Sequence, residues 1–373
     1  MFLSNLSIIN FKNYKEANLS FCPRINCFTG NNGSGKTNLL DAIYYLSFCK
    51  SFTNPIDSQN IMHEQDFFMI QGKYKCDGTD DEIYCAMKRN KRKVFKRNKK
   101  EYERLADHVG LYPLVLISPA DSSLILGGSE ERRKFIDGVI SQYDKEYLSN
   151  LISYNKALQQ RNALLKTFAE KNYFDSSSLN IWDEQLIKYG EMIYNSRKKL
   201  FEDFLPIFQK NYSFLAKQNE NVNIEYDSQL NTSNIVKLLA DVLQKDRIVQ
   251  HSTAGIHKDD LLFTIEGMPV KKFGSQGQQK TFLIALKLAQ YEFTRKIKGY
   301  EPILIFDDIF DKLDNLRVKQ LMELVSGENF GQIFVSDTST QRLEDIFSKI
   351  GVQSVLYEID NGKITDQHQL NNG

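Results

Sequence analysis

Residues Gly30-Asn31-Asn32-Gly33-Ser34-Gly35-Lys36-Thr37 have the spacing G-x-x-x-x-G-K-[ST] of a phosphate-binding loop. Glycines let successive backbone N–H groups turn inward at phosphate oxygens, and a following helix start adds its own donors. Lys36 is expected to reach the β- and γ-phosphates, and the Thr37 hydroxyl to ligate Mg²⁺. The bland alternative is a glycine-rich turn that happens to precede Lys-Thr. The flanks argue against it. Ile25-Asn26-Cys27-Phe28 reads as a strand, and Leu39, Ile43 and Leu46 recur on one helical face. All eight residues, Gly30 to Thr37, are therefore expected to bind ATP with Mg²⁺, with Lys36 also acting in catalysis.

A nucleotide loop needs a carboxylate at the end of a buried strand to hold the metal. Ile303-Leu304-Ile305-Phe306-Asp307-Asp308 offers one. Asp307 is assigned to the metal and Asp308 to orienting or deprotonating the attacking water. Aspartate is one methylene shorter than glutamate, so hydrolysis is expected to be slow, the nucleotide serving as a timed clamp more than as fuel. Upstream, Gly274-Ser275-Gln276-Gly277-Gln278-Gln279-Lys280 opens a helix whose face is Phe282, Ala285, Leu286 and Ala289. Ser275 can cap it, making a second anion-receptive helix end. A Ser-x-Gly-x-Gln stretch between a phosphate loop and an Asp pair is the order of ABC-type ATPases, where it contacts the γ-phosphate held by the other subunit. Ser275, Gly277 and Gln278 are placed at the nucleotide on that ground. Asp311-Lys312-Leu313-Asp314 falls where such proteins have their D-loop. The usual switch histidine is missing. Ser336-Asp337-Thr338-Ser339 stands there, leaving Asp337 or Thr338 as the γ-phosphate sensor.

Lys88 to Lys100 carries basic residues with no acid between them. It reads as a hairpin turning near Asn98, and Lys91, Arg92, Lys93, Lys96 and Arg97 are candidates for tracking a DNA backbone. A solvated charged hairpin is the competing reading. The chain as a whole has a net charge of +1 over 373 residues, so any nucleic-acid surface must be local. The 5 cysteines form no CxxC pair, which fits thiols in a reducing cytoplasm. No secretory signal and no stretch of membrane-spanning length is seen, so no membrane partner is expected.

The elements that must position these groups alternate. Strands are expected at 2–11, 17–21, 25–28, 67–75, 82–88 and 114–117, then a long helical stretch from Glu130 to about 216 broken at 174–178. Strands and helices alternate again to a hairpin at 353–367 turned by Asn361-Gly362. Unalternated apolar strands between helices imply an α/β fold with a mostly parallel central sheet covered on both faces, plus an inserted helical lobe. The expected division is 1–130 and 246–373 for an ABC-type ATPase head and 131–245 for the lobe.

With these motifs in view the chain resembles the RecF family. Pro119-Ala120-Asp121, Leu124 to Gly128 and Arg132-Arg133-Lys134-Phe135-Ile136-Asp137 look like its P-E-D…G…R-R-x-F-[IL]-D segment. His257-Lys258-Asp259-Asp260-Leu261 looks like its H-R-D-D-L, and Ser275 to Gln279 matches its signature. Ala120, Ser129 and Asp311-Lys312 depart from the pattern. The resemblance implies an ATP-dependent homodimer and weak, DNA-stimulated ATP hydrolysis. It further implies binding at single-/double-strand DNA junctions and work with RecR and RecO to load recombinase at gaps. An ATPase subunit of a membrane transporter is the alternative; it would share the nucleotide motifs but lack the basic hairpin and the helical lobe.

Overall fold

The computed structural model describes residues 1–76, 78–216, 220–309 and 315–371. The D-loop stretch Asp311–Asp314 and Asp77 lie outside them. In chain order the strands are β1 Phe2–Phe11, β2 Tyr14–Ser20, β3 Ile25–Thr29, β4 Phe67–Cys76, β5 Thr79–Lys88, β6 Val94–Arg97, β7 Lys100–Glu101, β8 Leu114–Ile117, β9 Val222–Asp227, β10 Asp260–Ile265, β11 Met268–Pro269, β12 Ile303–Asp307, β13 Ile333–Asp337, β14 Ser354–Asp360 and β15 Lys363–Asn371. The helices are α1 Lys36–Phe48, α2 Ser123–Leu126, α3 Ser129–Ser141, α4 Lys145–Glu170, α5 Ser176–Ala216, α6 Ile235–Val249, α7 Val270–Phe273, α8 Gln276–Lys298, α9 Asn315–Val325 and α10 Thr340–Phe347.

The chain divides into two compact units, Met1–Asp121 with Ile284–Gly373, and Ser122–Leu283. The expected boundaries at 130/131 and 245/246 are thus corrected. The reason is strand pairing: β10 pairs antiparallel with β9, Leu261 opposite Tyr226, so the segment that carries the signature joins the helical unit and not the head.

The first unit has two six-stranded sheets. One, in the order β15-β14-β3-β13-β12-β8, is parallel except for β15. β3, β12 and β13 are buried at every position, which is why their sequences do not alternate. The other, β2-β1-β4-β5-β6-β7, is antiparallel and built from hairpins. Asn98 and Lys99 both take positive φ, the two-residue turn joining β6 to β7. Helix α1 touches strands of both sheets, and Leu39, Leu40, Ile43 and Leu46 sit in one core with Ile8, Phe68, Ile305 and Phe334.

The second unit is mostly helical. Asp144 caps α4 through the Tyr147 N–H at 2.9 Å, and Asn234 caps α6 through the Lys237 N–H at 2.8 Å. Helices α4 and α5 pack along each other, and β11-β10-β9 form a small antiparallel sheet. Two fully buried arginines tie these parts together. Arg161 donates to Asp183 (2.6 Å), Asp246 (2.7 Å) and Ser252 (2.8 Å). Arg197 donates to Asp259 (2.8 Å), Asp137 (2.8 Å) and the Tyr147 hydroxyl oxygen (3.0 Å). Each removes a charge from water, so each needs every partner in place.

A buried histidine in the first unit, His108, and a half-buried one in the second, His257, are held neutral. Nε2–H of His257 donates to the Ser252 carbonyl at 3.1 Å while Nδ1 accepts from Tyr154 at 2.9 Å. His108 donates to the Leu46 carbonyl at 2.6 Å and accepts from Tyr102 at 3.1 Å. Burial pushes both imidazoles down to about 4. The unfolded chain therefore binds more protons between about pH 6.5 and pH 4, and stability is lost as pH falls through that window. The expected loss is up to about 3 kcal/mol per histidine. Urea melts of wild type and His257→Gln across pH 7 to 4 check this: the variant should show the shallower pH dependence, and equal slopes would contradict it.

Candidate functional site

The phosphate loop connects β3 to α1. Gly30, Gly33 and Gly35 take φ of 146°, 81° and 121°, the region closed to most residues. The loop is braced from behind by two turns. Gly362 N–H and the Asn13 side-chain amide donate to the Ser34 carbonyl at 2.8 and 3.1 Å, and the Tyr14 hydroxyl donates to the Gly35 carbonyl at 3.1 Å. A Cβ on Gly30 would lie 2.1 Å from the Ile359 carbonyl oxygen. The Lys36 ammonium folds back onto the Gly30 and Asn31 carbonyls at 2.7 and 3.0 Å. The buried Ser34 hydroxyl oxygen has no hydrogen-bond partner among the described residues. A glycine cradle, an ammonium resting on it and an orphaned hydroxyl fit a triphosphate.

Strand register brings the metal carboxylate to this loop. β13 lies between β3 and β12, pairing Asp337 with Thr29 and Ser336 with Asp307. The Thr37 hydroxyl consequently donates to Asp307 at 3.0 Å, and the Ser336 hydroxyl to the same oxygen at 2.8 Å. Burial raises the Asp307 pKa; the Ser336 and Thr37 bonds and Lys36 oppose it, and Asp308 adds to it. A buried carboxylate served mainly by hydroxyls fits a cation, with Thr37 and Asp307 as protein donors and the rest of the shell supplied by phosphate and water. Among the described residues no cluster of three or more His, Cys, Asp or Glu offers a competing metal site. Asp308 sits at φ 49°, a left-handed conformation uncommon outside glycine, and its N–H donates to Ser336 at 3.0 Å. Ser336 is thus a hub that motif reading missed, since it stands in the stretch read only for a missing histidine. Of the two sensor candidates, Asp337 is buried, accepts from Ser339 N–H at 2.7 Å and pairs with Arg342 at 3.1 Å. Thr338 is only half-buried.

The signature lies in the second unit, at the start of α8. Ser275 is exposed. Its hydroxyl oxygen accepts from Gln278 N–H at 3.2 Å while the Gln278 side-chain carbonyl accepts from Ser275 N–H at 2.7 Å, a reciprocal capping box. The Gln279 amide donates to the Gly274 carbonyl at 3.0 Å. Gly277 occupies the first turn, where N–H groups have no carbonyl within the helix.

The remaining family-like residues are internal. Arg132 forks onto Asp260 at 2.6 and 2.9 Å, and Arg133 donates to the Asp259 carbonyl at 2.7 Å. The two motifs, R-R-x-F-I-D and H-K-D-D-L, are therefore one clamp. In the basic segment Lys91 and Arg92 are exposed and Lys96 is half-buried, 5.8 Å from the Tyr84 ring centroid. Lys93 is a correction. Its ammonium pairs with Asp57 at 2.7 Å and contacts the Tyr45 hydroxyl at 3.0 Å, so it holds the head together and does not face solvent. Arg97 is part-exposed but forks onto Asp81 at 3.1 and 2.8 Å.

The loop geometry separates two glycine variants. Gly30→Ala meets both a forbidden φ and the Ile359 carbonyl, and should abolish binding of a fluorescent ATP analogue. Gly33→Ala has no atom within 4 Å and carries only the left-handed cost of about 1–2 kcal/mol. It should weaken binding by about thirtyfold at most. Equal loss in both, by fluorescence titration, would contradict the close approach.

Comparison with known proteins agrees with this geometry. Residues 2–360 match the family described as RecF/RecN/SMC N terminal domain. A Bacteroides thetaiotaomicron protein named DNA replication and repair protein RecF is 52% identical, the match covering 98% of this chain and 99% of that one. A Phocaeicola vulgatus protein of the same name is 50% identical over 99% and 100%. The solved recombination mediator protein RecF-ATPrS of the RecFOR pathway superposes with a TM-score of 0.88 at 30% identity over 98% of each chain. An Smc head domain derived from Pyrococcus furiosus, TM-score 0.57 at 18% identity over 99% of this chain and 96% of that chain, shares the fold alone. The phosphate loop, the Asp307 strand end and the capped Ser275 helix occur here in a chain of that fold, and the chain belongs to the RecF family.

Proposed function

We propose that the chain is an ATP-switched DNA clamp of recombinational gap repair and replication restart, acting in the cytoplasm. Two copies close around nucleotide, the cradle Gly30–Thr37 of one and the Ser275 helix end of the other enclosing each triphosphate. The observation that carries this reading is the exposed, reciprocally capped Ser275. An ATPase that completes its site within one chain has no use for a second anion-receptive helix end presented to solvent.

Bound Mg²⁺ supplies positive charge against the charge that develops on the transferring phosphoryl oxygens. Everything else is work of this chain. Lys36 leaves the Gly30 and Asn31 carbonyls for phosphate oxygens. Thr37 and Asp307 fix the metal side of the site, and Ser336 fixes Asp307. Asp308 orients the attacking water and takes its proton on a carboxylate oxygen. Its short side chain and left-handed backbone favour slow turnover, which DNA binding accelerates. Thr338 reads the γ-phosphate, since the Asp337 carboxylate is already committed to Arg342. The transporter alternative would lack a long helical lobe, and this chain has one in α4 and α5.

DNA at single-/double-strand junctions is gripped in part by Lys91, Arg92 and Lys96, and RecR and RecO are the partners in loading recombinase, on family resemblance. Lys91→Glu with Arg92→Glu and Lys96→Glu should weaken DNA binding and lower the slope of log K against log salt by about 0.9 for each phosphate left unneutralised. ATP affinity should stay as in wild type. Lys93→Glu should instead lower the melting temperature. A triple variant with an unchanged salt slope in fluorescence anisotropy would remove this surface from the grip.

A further inference from the structure

We infer that Glu220 positions the signature serine by fixing the side-chain amide of Gln278, and so ties the phosphate-facing cap to helix α5. The inference rests on the reading of Ser275 as the lid over the second copy's triphosphate. Gln278 is bonded at both ends of its amide. The carbonyl accepts from Ser275 N–H at 2.7 Å, and the NH₂ donates to a Glu220 carboxylate oxygen at 2.8 Å. A carboxylate only accepts, so it selects the NH₂ end and turns the carbonyl toward Ser275. An amide flipped the other way would set NH₂ against N–H and break the capping box. With the box closed, the Ser275 oxygen is occupied as an acceptor by Gln278 N–H, which leaves its O–H to donate outward to an anion.

Glu220 is itself held. Its other carboxylate oxygen accepts from the Tyr212 hydroxyl, and Tyr212 is fully buried in the last turns of α5. The same part of α5 packs on α8 through rings, Phe208 to Phe282 at 4.6 Å and Tyr212 to Phe282 at 6.2 Å between centroids. Ring packing sets where α8 lies against α5, and Glu220 sets how its first turn is capped.

The test uses the full chain with a non-hydrolysable ATP analogue, read by sedimentation equilibrium. Glu220→Ala should weaken analogue-driven dimerisation by about tenfold, the size expected for one missing charge-assisted bond. Fluorescent ATP binding to the dilute monomer should stay unchanged. Glu220→Gln, whose carbonyl still accepts from Gln278, should restore dimerisation to within about threefold of wild type. A purely structural role would move the melting temperature and monomer ATP affinity together and show no such rescue. Wild-type dimerisation in Glu220→Ala, or no rescue by glutamine, overturns the inference. If the alanine variant does not melt cooperatively, Tyr212→Phe carries the test with the same sign, and full dimerisation in it overturns the inference. Ser275→Arg separates the two claims: loss of dimerisation there with none in Glu220→Ala sinks Glu220 alone, while intact dimerisation in Ser275→Arg sinks the signature reading beneath it.

Discussion

The hydrogen bond from Thr37 to Asp307 is the contact on which the nucleotide half-site depends. It joins residues far apart in sequence, and it exists because β3, β13 and β12 run parallel in one register. Parallel strands end together, so the loop after β3, the carboxylates after β12 and the turn after β13 meet at one edge of the sheet. Ser336 is the middle strand's contribution, bonded to Asp307 through its side chain and to Asp308 through the backbone N–H of that residue. A slip of one residue in β13 would exchange Ser336 for a neighbour that faces the other side of the sheet. The buried carboxylate would then keep its desolvation cost without the hydroxyl that offsets it.

The second unit solves a different problem. Its helices are long, and its small sheet cannot hold them alone. Arg161 and Arg197 do so from inside, each reaching carboxylates on separate elements. Buried ion networks of this kind add little net stability but make wrong packings expensive, because any misplacement strands a charge. That gives the motif residues Arg132, Asp137, Asp259 and Asp260 a role in holding the unit that presents Ser275.

Much of this was legible in the sequence. The phosphate loop, the apolar strand ending in Asp307-Asp308 and the Ser275 helix start each combine a fixed residue pattern with a change of hydrophobic period, and local signals of that kind survive folding. The hairpin at Asn361-Gly362 was equally visible, though not that its turn would brace the loop through Gly362. What failed was long-range. The unit boundary depended on β9 pairing with β10, which no local pattern records. Lys93 looked like its basic neighbours because nothing in its surroundings along the chain announces Asp57 or Tyr45. Ser336 and Glu220 were invisible for the same reason: a serine near a strand end and a glutamate after a helix are ordinary until their partners arrive from elsewhere.

The central claim is that each nucleotide site is made by two chains, and mixing two crippled variants tests it directly. Lys36→Met spoils the cradle and keeps the lid; Ser275→Arg spoils the lid and keeps the cradle. Neither alone should hydrolyse ATP. Mixed in equal amounts, they should regain hydrolysis up to about half of wild type, since each mixed dimer has one intact composite site of two. A mixture no more active than the separate variants would show that each chain completes its own site, and would contradict the account.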